Sequence, residues 1–226
     1  MATIGFIGSG NIGSTLARLA LAGGHEVVLS NRRGPDSLAP LVAELGDGAR
    51  ADTVEGAARA GDLVVVTIPL HAVPDLSAEL FAGKIVIDTN NYYPDRDGRI
   101  PELDDDTLTT SEWVQQHLPG ARIVKAFNNI IARHLGALAR PAGAADRSTL
   151  LVAGDDAEAK TEAIAFIDSL GYDALDTGAL AESRRFQRDT PAYCVPYFRS
   201  ATDQGPGTPA DAAALRAALA AFDAQA

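Results

Sequence analysis

Gly8-Ser9-Gly10-Asn11-Ile12-Gly13 stands between two different hydrophobic periodicities. Before it, Ala2 to Ile7 is a short apolar run ending in glycine, which reads as a buried strand. After it, Ile12, Leu16 and Leu19 fall at helical spacing, and Gly23 and Gly24 close that helix. Glu26 to Ser30 is a second apolar run, so the six residues join a strand to a helix that leads into another strand. In that setting Gly8 permits a tight turn, Gly10 lets the backbone approach a pyrophosphate, and Gly13 lets helix and strand pack closely. Ser9, Asn11 and Ile12 complete the turn, and the start of the helix presents free N–H groups to phosphates. The glycine spacing alone is a weak pattern. The strand before it and the helix after it supply the context that a dinucleotide site requires.

The alternation continues along the chain. A weak strand near Ala49, a helix from Thr53 to Ala60 and a strong strand from Leu63 to Ile68 follow. Lys84 to Asp88 reads as strand, Ser111 to Leu118 as helix and Ala121 to Phe127 as strand. Strands alternating with helices predict an α/β fold: a doubly wound parallel sheet, the Rossmann fold, covered on both faces. Beyond Ala139 the character changes. Pro141 to Arg147 is a polar turn region, and Ser148–Ala153, Asp156–Leu170 and Tyr172–Asp176 make another strand–helix–strand unit. Residues 178–207 read as irregular. Thr208 is then expected to cap a last helix, with Pro209 in its first turn and Asp211 reaching back. Leu215, Leu219 and Phe222 form that helix's apolar stripe. The expected division is a nucleotide-binding Rossmann domain over 1–139 and a small C-terminal α/β extension over 140–226.

Composition narrows the function classes. The 226 residues are 46% hydrophobic and 22% charged, an ordinary globular balance. A net charge of −11 argues against nucleic acid, whose phosphates would be repelled. The run Leu63 to Leu70 is too short to span a bilayer, and the start lacks a secretory pattern, so a cytoplasmic protein without membrane attachment is expected. Cys194 is the single cysteine and the four histidines have no short ligand spacing, so no metal is expected. An anionic ligand must be held by a local concentration of basic groups.

Two such concentrations occur. Ser30-Asn31-Arg32-Arg33 follows the second strand, where an NAD site places an acidic residue for the ribose. Here no carboxylate repels a 2′-phosphate and guanidinium forks suit it, so NADP(H) is the expected cofactor. The second concentration is Ser183 to Asp189, with Arg184, Arg185 and Arg188, a candidate seat for an anionic second substrate against the alternative of a solvated loop. Ligands of such sheets bind beyond the carboxyl ends of the strands. Thr67-Ile68-Pro69 with His71, Asp88 to Asn91 with Asn90, and Lys125-Ala126-Phe127-Asn128 occupy those ends. Asn and backbone groups there are candidates for the nicotinamide carboxamide. Lys125 and Asn128 are candidates for polarising a carbonyl, and His71 for acid/base work, each against a structural role.

Taken together, the fingerprint, the Ser-Asn-Arg-Arg turn, Thr67-Ile68-Pro69, Asp88 to Asn91 and Val124 to Asn128 resemble the NADPH-dependent reductases of the deazaflavin coenzyme F-420. They also resemble the NADPH domain of transmembrane ferric reductases. The resemblance covers most of residues 2–177, although the family commonly has Ser where this chain has Asn31. It implies reversible hydride transfer between NADP(H) and the deazaflavin, with coenzyme F-420 as second substrate and no obligatory acid/base residue. The stretch Arg184–Tyr193 matches a bacterial branch of the family, which places Tyr193 with the arginines at the second substrate. Two alternatives stay open. One is a reductase of another small substrate (a carbonyl, an imine or a flavin), and the other is an NADP-binding sensor or partner protein without turnover. A homodimer is compatible with either.

Overall fold

The apolar runs pair into one twisted sheet. In a computed structural model, which describes residues 1–200 and 204–225, the strands are β1 (Thr3–Ile7), β2 (Glu26–Ser30), β3 (Ala49–Ala51), β4 (Leu63–Val66), β5 (Ile85–Asp88), β6 (Arg122–Lys125), β7 (Thr149–Gly154) and β8 (Asp173–Asp176). Positions 201–203 of the stretch read as irregular lie outside the described residues. The spatial order is β3-β2-β1-β4-β5-β6-β7-β8. The chain therefore winds outward from β1 to β3, returns, and winds the other way from β4, leaving a switch point between β1 and β4. β1 to β6 are parallel, as the alternation predicts, and the doubly wound α/β class holds.

Helices cover both faces. α1 (Asn11–Ala22), α2 (Ala39–Leu45), α7 (Ala132–Ala137), α8 (Ala157–Ser169) and α9 (Ala212–Asp223) pack on one face, around Leu16, Phe127, Phe166 and Leu215. α3 (Val54–Ala60) and α6 (Thr110–His117) pack on the other, around Phe81, Trp113 and Val114. Two short helices, α4 (Pro94–Asp97) and α5 (Pro101–Asp104), lie in the connection from β5 to α6.

Three expectations need correction. β7 runs antiparallel to β6, with β8 parallel beside it, so the sheet is not parallel throughout. β7 starts beyond the carboxyl end of β6 and runs back alongside it, with Ala153 beside Lys125 and Gly154 beside Val124. The chain does not regain the starting edge and enters β7 from the far one. Secondly, the strands read as ending at Ile68 and Phe127 stop at Val66 and Lys125. Phe127 has a left-handed backbone (φ 61°), which ends extended pairing there. Thirdly, Asp211 rather than Thr208 caps α9, accepting from the Ala214 N–H at 2.9 Å. The backbone of 208–210 is engaged elsewhere. Thr208 N–H donates to the Tyr197 carbonyl at 3.0 Å, and Ala210 O accepts from Thr149 N–H at 2.8 Å.

Cys194 is buried, and burial pushes its thiol up to about 12. A thiol held neutral is a poor nucleophile. A thiol-specific disulfide reagent at mildly alkaline pH should leave the native protein untouched and titrate the thiol only after denaturation. Rapid labelling of the native protein would contradict this burial.

Candidate functional site

The glycine turn is built for close backbone approach. Gly8 has φ 108°, and a Cβ there would lie 2.8 Å from the Thr67 carbonyl oxygen. A Cβ on Gly13 would collide with the Gly8 carbonyl, while one on Gly10 would meet nothing within 4 Å. The outer two glycines are thus fixed by packing, and the middle one faces open space. Thr67 pins the turn, its hydroxyl donating to Gly8 O at 3.2 Å, and Gly8 N–H donates to Ser30 O at 3.1 Å. α1 starts at Asn11 with Gly10 as N-cap and no side-chain cap, so its first N–H groups have no side chain to satisfy them. This concavity fits a pyrophosphate.

The basic turn lies alongside. Ser30 is buried and donates to Phe6 O at 2.8 Å. The Asn31 side-chain oxygen accepts from Arg33 N–H at 2.8 Å, and its amide donates to Ser37 Oγ at 2.9 Å and Ser9 Oγ at 3.5 Å. Asn31 therefore works as a strut between the glycine turn and the basic turn. Ser37, which the sequence reading passed over, is its main partner; the left-handed Gly34 (φ 85°) before it is the signal for that turn. Arg32 and Arg33 are exposed, and neither guanidinium has an ion pair among the described residues.

At the ends of β5 and β6 lies a buried polar layer. Lys125 and Asp88 are both fully buried, with Nζ 3.1 Å from Asp88 Oδ2 and also donating to the Asn90 carbonyl. Ser111 Oγ donates to the same carboxylate oxygen at 2.5 Å, and Asn90 N–H donates to the other at 2.9 Å. Burial lowers the Lys125 pKa, against the pull of Asp88. Its ammonium is thus spent on holding Asn90 in place. Asn128 Nδ2 donates to Asn91 Oδ1 at 3.2 Å and to Phe186 O at 2.9 Å, and Asn91 Nδ2 donates to Asn128 O at 2.9 Å. Asn91 is the cross-strand lock that the sequence reading did not single out as a contact. Asn90 Nδ2 and Asn128 Oδ1 remain buried with no protein partner, a donor and an acceptor of the kind a carboxamide would satisfy. His71 stands apart: it is exposed and pairs with Asp97 at 3.1 Å. Burial raises the Asp97 pKa, yet hydrogen bonds from Arg96, the Tyr93 N–H and His71 hold it below the ordinary carboxylate value.

Next to this layer is a cavity of about 590 Å³, lined in part by Tyr92, Leu103, Thr110, Arg184, Arg188 and Phe222. It separates the arginines of the second basic stretch. Arg185 turns away to α9, 2.5 Å from Asp223. Arg188 pairs with Asp189 at 2.7 Å and lies 5.2 Å from the centre of the Tyr93 ring, whose hydroxyl is 2.6 Å from that of Tyr193. Arg184 donates Nε to Ala181 O at 3.0 Å and has no carboxylate partner among the described residues. The non-glycine left-handed residues among those described gather here: Asp106 and Asp189 line the cavity, and Phe127 and Cys194 adjoin Asn128 and Asn129. Such conformations cost roughly 1–3 kcal/mol each and concentrate at binding sites.

Known proteins match this arrangement. Residues 3–92 fit the family model described as NADP oxidoreductase, coenzyme F420-dependent. A hypothetical protein from Sinorhizobium meliloti is 30% identical, with a TM-score of 0.72 over 83% of this chain and 90% of its own. A protein from Arthrobacter sp. FB24, provisionally named an F420-dependent NADP-reductase, is 28% identical, with a TM-score of 0.69 over 81% of this chain and 88% of its own. Metalloreductase STEAP3 of Rattus norvegicus is 29% identical over 200 residues, 85% of this chain but 38% of that relative's length. Among the described residues no helix is long and apolar enough to cross a membrane, and no group of His, Cys, Asp or Glu is arranged to hold a metal ion. With its fingerprint, sheet order and sequence likeness in agreement, the chain belongs to the broad family of Rossmann-fold NADP oxidoreductases.

Proposed function

We propose that the protein is an NADPH-dependent reductase. The observation that carries this reading is the open cradle at Gly10 beside two exposed guanidinium groups, Arg32 and Arg33, that no carboxylate among the described residues neutralises. Bound NADPH would supply the hydride. Gly8 to Gly13 would take the pyrophosphate, and Ser30, Arg32 and Arg33 the 2′-phosphate side, with Asn31 bracing the turn. Thr67, Ile68, Pro69, Asn90, Ala126 and Asn128 would surround the nicotinamide. Lys125 positions Asn90 and takes no part in proton transfer. Residues 1–139 hold the nucleotide in this reading, and 140–226 supply the wall of the acceptor site.

The acceptor has two readings. The match over residues 3–92 favours the deazaflavin coenzyme F-420. The separation of Arg185 and the pairing of Arg188 favour a smaller substrate, such as a carbonyl or imine, because a long anionic tail would need the whole basic stretch. The test is NADPH oxidation followed by absorbance, with oxidised deazaflavin and, separately, with small carbonyl and imine acceptors. Bleaching of the deazaflavin is expected in the first reading and oxidation only with small acceptors in the second. NADPH binding without oxidation in any mixture would make the protein a nucleotide sensor instead.

A further inference from the structure

The cavity beyond β5 has chemistry of its own. On one side it presents apolar surface from Leu103 and Phe222 with the Tyr92 ring. Its charged lining groups are three arginines and three aspartates. Arg99 pairs with Asp104 at 2.8 Å and Arg188 with Asp189 at 2.7 Å, while Arg184 and Asp106 have no ion pair among the described residues. Arg184 is the lining arginine left without a carboxylate among the described residues, so its charge is available to an occupant. Thr110 supplies a second polar point. It is only 3% exposed, its hydroxyl makes no hydrogen bond, and it lines the cavity. That oxygen is reachable from the cavity, so it is open to a hydrogen bond from or to an occupant. The volume of about 590 Å³ lies within the roughly 300–1,000 Å³ of small-molecule sites.

We infer that this cavity seats a compact organic anion, with its acid group on the Arg184 guanidinium, its apolar body against Leu103 and Phe222, and a hydrogen-bonding atom on the Thr110 hydroxyl. As the hydride acceptor's seat, the assignment rests on the NADPH reading above. It narrows the acceptor to a molecule carrying a single acid group, because Arg184 is the one lining guanidinium with charge to spare and the unpaired Asp106 carboxylate repels further negative charge. Arg185 has no part in it.

The experiment uses benzoate and phenyl phosphate as anionic probes, benzamide as the neutral counterpart, and amide NMR shifts of the full chain as readout. Both anions should shift resonances around Thr110 and Arg184 at millimolar concentration and more strongly than benzamide does. Arg184→Gln should weaken both anions about tenfold, the loss of one charged hydrogen bond after solvent screening. It should leave benzamide unchanged. Thr110→Val, which keeps the shape, should weaken all three. Absence of shifts in the cavity, equal binding of benzoate and benzamide, or indifference to Arg184→Gln would overturn the assignment. Titration of 2′,5′-ADP checks the cofactor reading separately, since that fragment would occupy only the glycine and arginine turns. If it fails to bind while the anions behave as expected, the NADPH reading falls and the anion site stands.

Discussion

Lys125→Met should lower the stability of the protein by about 3–5 kcal/mol, the cost of leaving one half of a buried ion pair alone. Lys125 and Asp88 are fully buried and 3.1 Å apart, so the Asp88 carboxylate would keep only Ser111 Oγ and the Asn90 N–H. Neither carries a compensating charge. The double variant Asp88→Asn with Lys125→Met removes both charges and retains groups able to bond Ser111 and Asn90, so it should be distinctly more stable than Lys125→Met alone. Urea unfolding of the three proteins makes the comparison. If Lys125→Met unfolds at the wild-type midpoint, the pair does not hold the ends of β5 and β6 together. The same loss should loosen Asn90, since Lys125 also bonds its carbonyl. Nucleotide affinity should therefore fall in the single variant even below its unfolding transition.

Arg32→Ala should raise the dissociation constant for NADPH by roughly 10- to 150-fold, the equivalent of about 1.5–3 kcal/mol for a hydrogen bond to a charged group. NADH should bind nearly as before. Arg32 is exposed and has no ion pair among the described residues, so its removal disturbs no internal contact. Exposure also lets salt screen the interaction, which pulls the effect toward the lower figure as ionic strength rises. Paired titrations of both nucleotides with wild type and variant provide the measurement. Equal weakening of NADPH and NADH would show that Arg32 does not read the 2′-phosphate. Asn31→Ala is a contrasting variant. It removes the strut to Ser37 and Ser9 and should weaken both nucleotides, because the glycine turn loses its brace.

The part of the fold nearest the fingerprint was legible because local rules and tertiary packing agree there. Gly8 and Gly13 have separate steric reasons to be glycine, and both appear in the geometry, while Gly10 faces open space. The strands β1, β2 and β4 are short apolar runs whose burial suits a central place in the sheet. The direction of β7 was not legible, since an apolar run reads the same in either sense. The left-handed turn at Phe127 was hidden too, because a bulky aromatic gives no sign of positive φ. At α9 the local capping pattern of Thr208 and Asp211 lost to long-range backbone bonds from Tyr197 and Thr149. In the basic stretch, composition located three arginines, but only a tertiary contact could show that Asp223 takes Arg185, while Asp189 pairs with its chain neighbour Arg188. Asn91 and Ser37 were missed for a related reason: both act by bracing neighbours, and such roles have no sequence spacing of their own.

The reversal of β7 has an architectural consequence. β7 and β8 run against the rest of the sheet, yet the register sets Ala153 beside Lys125 and Asp176 beside Val152. β8 thus ends level with the carboxyl end of β6, on the crevice side. The chain therefore leaves β8 close to the crevice, and Phe186 O soon accepts from Asn128 Nδ2 at 2.9 Å. The segment that follows, residues 177–194, lies at that end of the sheet and is held by anchor points such as Leu180 to Asp155 and Cys194 to Asn129. A segment of that kind can be exchanged between relatives while the fingerprint and its arginine turn stay as they are. On the proposed reading, grafting the corresponding segment from another member of the family should transfer the choice of acceptor and leave nucleotide preference behind.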